Sequence, residues 1–154
     1  RSSDLAIGYL LHDFKDETLT KLIYFTDNGD NSISSGGRGK SFIVKLLKQY
    51  SNIGATDMRS IASDNQFIFS DVCSSKNIMV FDELQKNFDL GQMYQKVTGN
   101  WQVNQKGKPR YTIPFAESPK ILCISNFPPQ QDGPSLSRRI YVIPFGNYFQ
   151  KGIT

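Results

Sequence analysis

The sequence holds very little of what metal sites and disulfide frameworks are made from: two cysteines, Cys73 and Cys123, and one histidine, His12. Two thiols so far apart in sequence, with a single imidazole, exclude a zinc constellation and a disulfide scaffold, so both cysteines read as buried thiols. His12 falls in a helical pattern with Leu5, Leu10, Leu11 and Phe14 and reads as an ordinary packed or half-exposed residue with no assigned role. Long apolar runs are lacking too. No stretch approaches the 18 or more apolar residues of a membrane span, and no charged, apolar, small-residue progression marks a secretion signal. A cytoplasmic protein with no membrane partner is the expectation. The chain also lacks an initiator methionine, opening at Arg1. It is therefore read as a piece of a longer polypeptide, with 1–18 left from a linker or preceding domain, 19–146 as the core and 147–154 as a tail.

What is present is ordinary for one soluble domain: 154 residues, 38% apolar and 21% charged. The charge is unevenly placed. Residues 1–77 carry nine Lys/Arg and nine Asp/Glu, whereas residues 78–154 carry nine and five, so the whole net charge of +4 sits in the second half. Such an asymmetry is a mild pointer to a polyanionic partner.

Periodicity predicts a short helix over residues 3–14 and a buried strand in "TKLIYFTD", Thr20 to Asp27. A polar, glycine-rich loop follows. After it, Ile43, Leu46, Leu47 and Tyr50 share one helical face, giving the order strand, loop, helix. "NIGAT" is a candidate second strand, "NIMVFDEL" (Asn77 to Leu84) a strand ending in two acids, and "LGQMYQKV" a helix. "PKILCISN" (Pro119 to Asn126) and "RRIYVIPF" (Arg138 to Phe145) complete the strands. Strands alternating with helices predict an α/β sandwich with a mostly parallel sheet. One section breaks the alternation: "WQVNQKGKPRYTIPF", residues 101–115, reads as a β-hairpin with an exposed Lys-Gly-Lys tip.

Four features carry chemistry. "SSGGRGKS" matches the phosphate-loop pattern G-x-x-x-x-G-K-[ST] at Gly39, Lys40 and Ser41, with Ser34 at the first glycine position and Gly36, Gly37 and Arg38 between. Glycines let backbone N–H groups curl round an anion, the lysine bonds the β and γ phosphates, and the hydroxyl ligates Mg²⁺. A flexible loop of common composition is the other reading. Second, "IMVFDE" ends a strand with Asp82, suited to hold Mg²⁺, and Glu83, suited to polarise an attacking water as general base; a strand ending in two solvated acids is the alternative. Third, Asn126 after "KILCIS" is placed to orient water or touch a γ phosphate, or simply to turn the chain before "FPP". Fourth, Arg138 and Arg139 read either as arginines donated to a neighbouring subunit's nucleotide or as a solvated basic pair.

With these four in order, the sequence resembles the superfamily 3 helicases, AAA+-like phosphate-loop ATPases, and particularly the helicase part of phage, plasmid or mobile-element primase-helicases. The resemblance runs from about Lys21 to Phe145 through Walker A ("GGRGKS"), Walker B ("MVFDE"), a basic motif ("QKGKPRYTIPF"), a sensor asparagine ("ILCISN") and a downstream arginine ("SRR"). It implies an AAA+-like three-layer sandwich with a mostly parallel central sheet and an inserted β-hairpin. It also implies ATP-driven DNA helicase activity with Mg²⁺, and a hexameric ring of the full-length protein round single-stranded DNA. The ATP would lie between subunits. On that analogy Lys106, Lys108 and Arg110 of the basic hairpin meet the phosphate backbone, which agrees with cationic side chains suiting salt-sensitive, sequence-independent binding. Trp101 and Tyr111 offer rings for stacking, although Trp101 reads better as core, and Lys-Gly-Lys is also a common solvated turn. Ser34 and the missing flanking helical domain are the two departures, and a monomer stays open for this piece alone. The alternatives are a DNA-binding initiator or scaffold module with a degenerate nucleotide site, and a phosphate-loop small-molecule kinase, against which no arginine-rich lid follows the acid strand.

Overall fold

The computed structural model describes residues 2–28, 37–61, 65, 68–70, 72, 75–130 and 133–146. Five strands form one sheet: β1 (Leu22–Asp27), β2 (Ile53–Asp57), β3 (Ile78–Leu84), β6 (Lys120–Ser125) and β7 (Ile140–Phe145), in the order β2-β3-β6-β1-β7. Every neighbouring pair is parallel. The near-continuous apolar character of β1 and β6 follows from this placement, since a central parallel strand is covered on both faces; each residue of both is buried.

Alternation along the strands divides the core into two layers. Ile23, Phe25, Ile78, Val80, Leu122, Ile124 and Ile143 face one side, where they pack on Ala6 and Leu10 of α1 (Ser2–Leu11) and Val44 and Leu47 of α2 (Lys40–Leu47). Leu22, Tyr24, Met79, Phe81, Ile121 and Cys123 face the other, against Met93 and Val97 of α3 (Gly91–Thr98) and a hairpin. The hairpin pairs β4 (Trp101–Val103) with β5 (Tyr111–Ile113) antiparallel, as the sequence predicts. The result is the α/β three-layer sandwich with a mostly parallel central sheet and an inserted hairpin. Trp101 belongs to the core: it is fully buried, and its indole N–H donates to the Lys96 carbonyl at 2.7 Å. Cys123 is also buried, and burial pushes its thiol pKa up, so it is an inert packing residue. Cys73 lies outside the described residues.

The predicted helix of residues 3–14 ends at Leu11 because Lys120, at the start of β6, takes its terminal carbonyls. The ammonium donates to Tyr9 O at 2.5 Å and to His12 O, contacts His12 Nδ1 at 3.0 Å, and lies 4.4 Å from the centre of the Tyr9 ring. A cation at a helix C-terminus satisfies orphan carbonyls and meets the negative end of the dipole. One element went unread in the sequence: α4 (Pro134–Arg139), six residues opened by a proline and continuous with β7.

Candidate functional site

Strand order decides which loops meet. β1, β6 and β3 are consecutive across the middle of the sheet, so the chain leaving each of their C-terminal ends converges on one place. A cavity of about 310 Å³ opens there, lined by Gly37, Arg38, Gly39, Lys40, Ser41, Phe42, Asp82, Glu83, Ile124, Ser125 and Asn126. Residues from three separated stretches of sequence are thereby brought together, and they are the predicted loop, acid and asparagine residues. Gly36 and Ser34 lie outside the described residues.

The loop reaches α2 through left-handed backbone. Gly37 has φ 85° and Gly39 φ 95°, a region L side chains rarely adopt, so glycine is required at both. Gly39 is the N-cap of α2 with no side-chain cap, and its carbonyl receives the Phe42 and Ile43 N–H groups at 3.1 and 3.2 Å. The helix thus presents its N-terminal amides and positive dipole end to the cavity, a ready anion seat.

Lys40 is the first residue of α2 and is buried. Its ammonium pairs with Asp27, the last residue of β1, and donates to Asn126 Oδ1 at 2.9 Å. Asn126 therefore belongs to the lysine's surroundings. Arg38 is buried as well, and its side chain turns away from the solvent face: Nη1 donates to Asn28 O at 2.8 Å and Phe145 O at 3.2 Å, while Nε lies 3.9 Å from Asp27 Oδ1. Ser41 is exposed at the cavity wall.

Across the cavity, β3 breaks register with β6 between Phe81 and Leu84. The irregularity turns Glu83 outward with φ 59°, and the Asp82 carboxylate accepts the Glu83 N–H at 2.9 Å. Ser125 secures the strand end by donating from Oγ to Leu84 O at 2.7 Å. Tyr24 does the same for the following turn, donating to Phe127 O at 3.1 Å; burial pushes its phenol pKa up to about 12. Beside the acids, Asp57 of β2 is in register with Asp82 and grips Arg59, holding its own carboxyl below the usual range through those hydrogen bonds.

The donor set fits a magnesium nucleotide: hard oxygen ligands at Ser41 and Asp82, an ammonium, and helix amides facing one cavity. The remaining predicted residues are placed elsewhere. Lys106, Lys108 and Arg110 are exposed at the hairpin tip, where Gly107 turns with φ 74°, and none of them lines the cavity. Tyr111 is half-exposed with its hydroxyl tied to Val72 O at 2.7 Å. Arg138 and Arg139 end α4 beside Ile140, which pairs with Leu22 at the start of β1, so they sit at the opposite end of the sheet from the cavity. Asp27 is the site residue that the sequence does not announce; its signal is an acid closing an apolar strand ahead of a glycine loop.

Residues 32–139 match the profile of a family of unknown function, DUF5906. The chain belongs to DUF5906. No curated protein matches it. Among solved structures, this DUF5906 chain is similar to the apo NrS-1 C-terminal region, with a TM-score of 0.60 and 16% identity over 99% of this chain and 36% of that one. It is also similar to a JCV helicase, with a TM-score of 0.55 and 13% identity over 93% of this chain and 40% of that one. The fold is helicase-like, and the chain spans well under half of either structure. No helix among the described residues is long and apolar enough to cross a membrane.

Proposed function

We propose that this DUF5906 chain is the ATPase core of a superfamily 3 helicase, a nucleic-acid motor of a phage, plasmid or mobile element. The observation that carries the reading is the convergence of Lys40, Ser41, Asp82, Glu83 and Asn126 on one cavity at the C-terminal ends of three adjacent parallel strands. In this reading the loop 37–41 and the α2 N-terminus cradle the phosphates of ATP, and Lys40 bonds the β and γ groups. Ser41 and Asp82 hold Mg²⁺, which neutralises charge on the phosphates when bound. Glu83 takes the proton of the attacking water, and Asn126 orients that water against the γ phosphate. Lys106, Lys108 and Arg110 track the backbone of single-stranded DNA.

Mg²⁺-dependent ATP hydrolysis, measured with and without single-stranded DNA beside a Lys40→Ala control, tests the reading on a chain extended at both ends. Turnover that rises with DNA and disappears in the control is the expected result. DNA binding that ignores ATP, together with no nucleotide binding, would replace the motor by a binding module with a degenerate site.

A further inference from the structure

A second cavity, of about 350 Å³, opens at the other end of the sheet from the loop 37–41. It lies where β3 and β6 begin: Asn77 and Lys120 stand at those strand starts, and the Lys120 N–H donates to Asn77 O at 2.9 Å. The chain leaving α1 supplies Lys15 to its wall, and the turn before β6 supplies Ser118. Lys15, Lys76 and Lys120 all line it, and among the described residues none of the three forms an ion pair with a carboxylate.

The three ammonium groups are committed to different degrees. Lys120 is buried and directs its N–H groups at Tyr9 O, His12 O and His12 Nδ1, which neutralises the negative end of α1 that would otherwise repel an anion. Lys15 is half-buried and makes one such bond, to Ser118 Oγ at 2.6 Å; that hydroxyl gives its own proton to Phe115 O at 2.8 Å. Lys76 also makes one, to Asn52 Oδ1 at 3.0 Å. An ammonium has three donors, so among the described residues Lys15 and Lys76 each keep two for a ligand. The acids at this cavity, Asp13 and Glu117, are exposed, and Asp13 is engaged by the Asn77 side-chain amide at 2.7 Å. Burial, aided at Lys15 by the Lys120 charge and opposed at Lys120 by Asp13, pushes both amines down to about 8. Two cations that resist burial and repel each other are what a doubly charged anion relieves.

We propose that this cavity is a phosphate site, in which Lys15 and Lys76 donate to the oxygens of one phosphate group and Lys120 supplies fixed positive charge in the wall. Lysine suits that task as a point charge. The inference stands apart from the nucleotide reading of the first cavity, with which it shares no lining residue. Free phosphate and a nucleic-acid backbone carry the same group, and the experiment separates them.

The test is an NMR titration of the ¹⁵N-labelled chain with inorganic phosphate, against chloride at equal ionic strength. The Asn77 side-chain amide and the Ser118 and Lys120 backbone N–H groups report this cavity, whereas Gly39 and Lys40 report the other. Phosphate is expected to move the first set saturably and chloride to leave it in place. Lys15→Met should weaken that binding about tenfold, the loss of one charge-assisted hydrogen bond, without changing any response at Gly39 and Lys40. Lys76→Met should weaken it several-fold and serves if the Lys15 variant does not fold. A single-stranded oligonucleotide without terminal phosphates gives the second arm. Movement of the same signals, reversed by inorganic phosphate, assigns the site to a nucleic-acid backbone; movement by inorganic phosphate alone assigns it to a free phosphate compound. No saturable movement of the first set with inorganic phosphate, equal movement with chloride, or unchanged affinity in the folded lysine variants overturns the proposal and leaves the nucleotide reading untouched.

Discussion

Glu83 holds a left-handed backbone, φ 59°, the one such non-glycine residue among those described. For an L residue that conformation costs about 1–2 kcal/mol, and function is a common reason for keeping it. Glycine at this position removes the strain but gives back about 0.5–1 kcal/mol through the freer unfolded chain. Glu83→Gly is therefore expected to raise stability by about 0.5–1 kcal/mol, read as a higher urea midpoint at unchanged slope, while hydrolysis is lost. Glu83→Gln keeps shape without basicity. It should bind ATP within about twofold of wild type and hydrolyse it at least about 100-fold more slowly, in line with general-base contributions; normal turnover in this variant would end the general-base assignment. These residues are legible in the sequence because each follows an apolar run or a glycine cluster, which fixes its place at a strand end. Arg38 is read there only as part of the phosphate loop and Asp27 only as the end of a strand, since nothing in "GRG" or "TD" says that β1, β7 and the loop will bury the two within 4 Å of each other.

At the scale of elements, strands are the best-read parts of the fold, and the hairpin is read correctly as well. Its tip carries Lys106 and Lys108 in the open, whereas Trp101 is buried at the base. Replacing both lysines by alanine should weaken single-strand binding and lower the slope of log affinity against log salt by about 1.4, the share of two phosphate contacts. Nucleotide affinity should stay unchanged. An unaltered DNA affinity would take the tip out of the nucleic-acid interface. At α1 the sequence shows the helix but not what holds it. Lys15 donates to Ser118 Oγ at 2.6 Å and lies 4.2 Å from the Phe115 ring centre, and burial with Lys120 nearby pushes it down to about 8. Below pH 8 both the folded and the unfolded chain keep that proton, and the fold bears the cost of desolvating it. Between about 8 and 10.5 the unfolded chain binds more protons, so this group makes stability rise with pH. Lys15→Met should thus melt above wild type at pH 7, with the gap closing toward pH 10. A gap constant with pH would refute the assignment.

On the scale of the whole molecule, the sheet has two ends with different chemistry. The cavity lies at the C-terminal ends of β1, β3 and β6, and Arg138 and Arg139 lie at the N-terminal end of β7, a six-residue strand away, or about 20 Å. Lys21, which precedes β1, donates from Nζ to Arg138 O at 2.5 Å and ties that corner to the sheet. Neither arginine can serve the cavity of its own chain without the end of the sheet coming apart. If they stabilise the charge of phosphoryl transfer, they do so for a neighbour, and a complete site needs two subunits. The mixing experiment follows directly. Lys40→Ala keeps its arginines but loses its cavity, and an Arg138→Ala, Arg139→Ala double variant keeps its cavity but loses its arginines. Each alone should be inactive. Mixed in equal amounts and allowed to exchange subunits, they should recover about a quarter of wild-type hydrolysis, since random neighbours join an intact cavity to an intact arginine pair in one interface of four. Full activity in the double arginine variant, or no recovery on mixing despite shared assemblies, would leave the pair as a solvated end of α4.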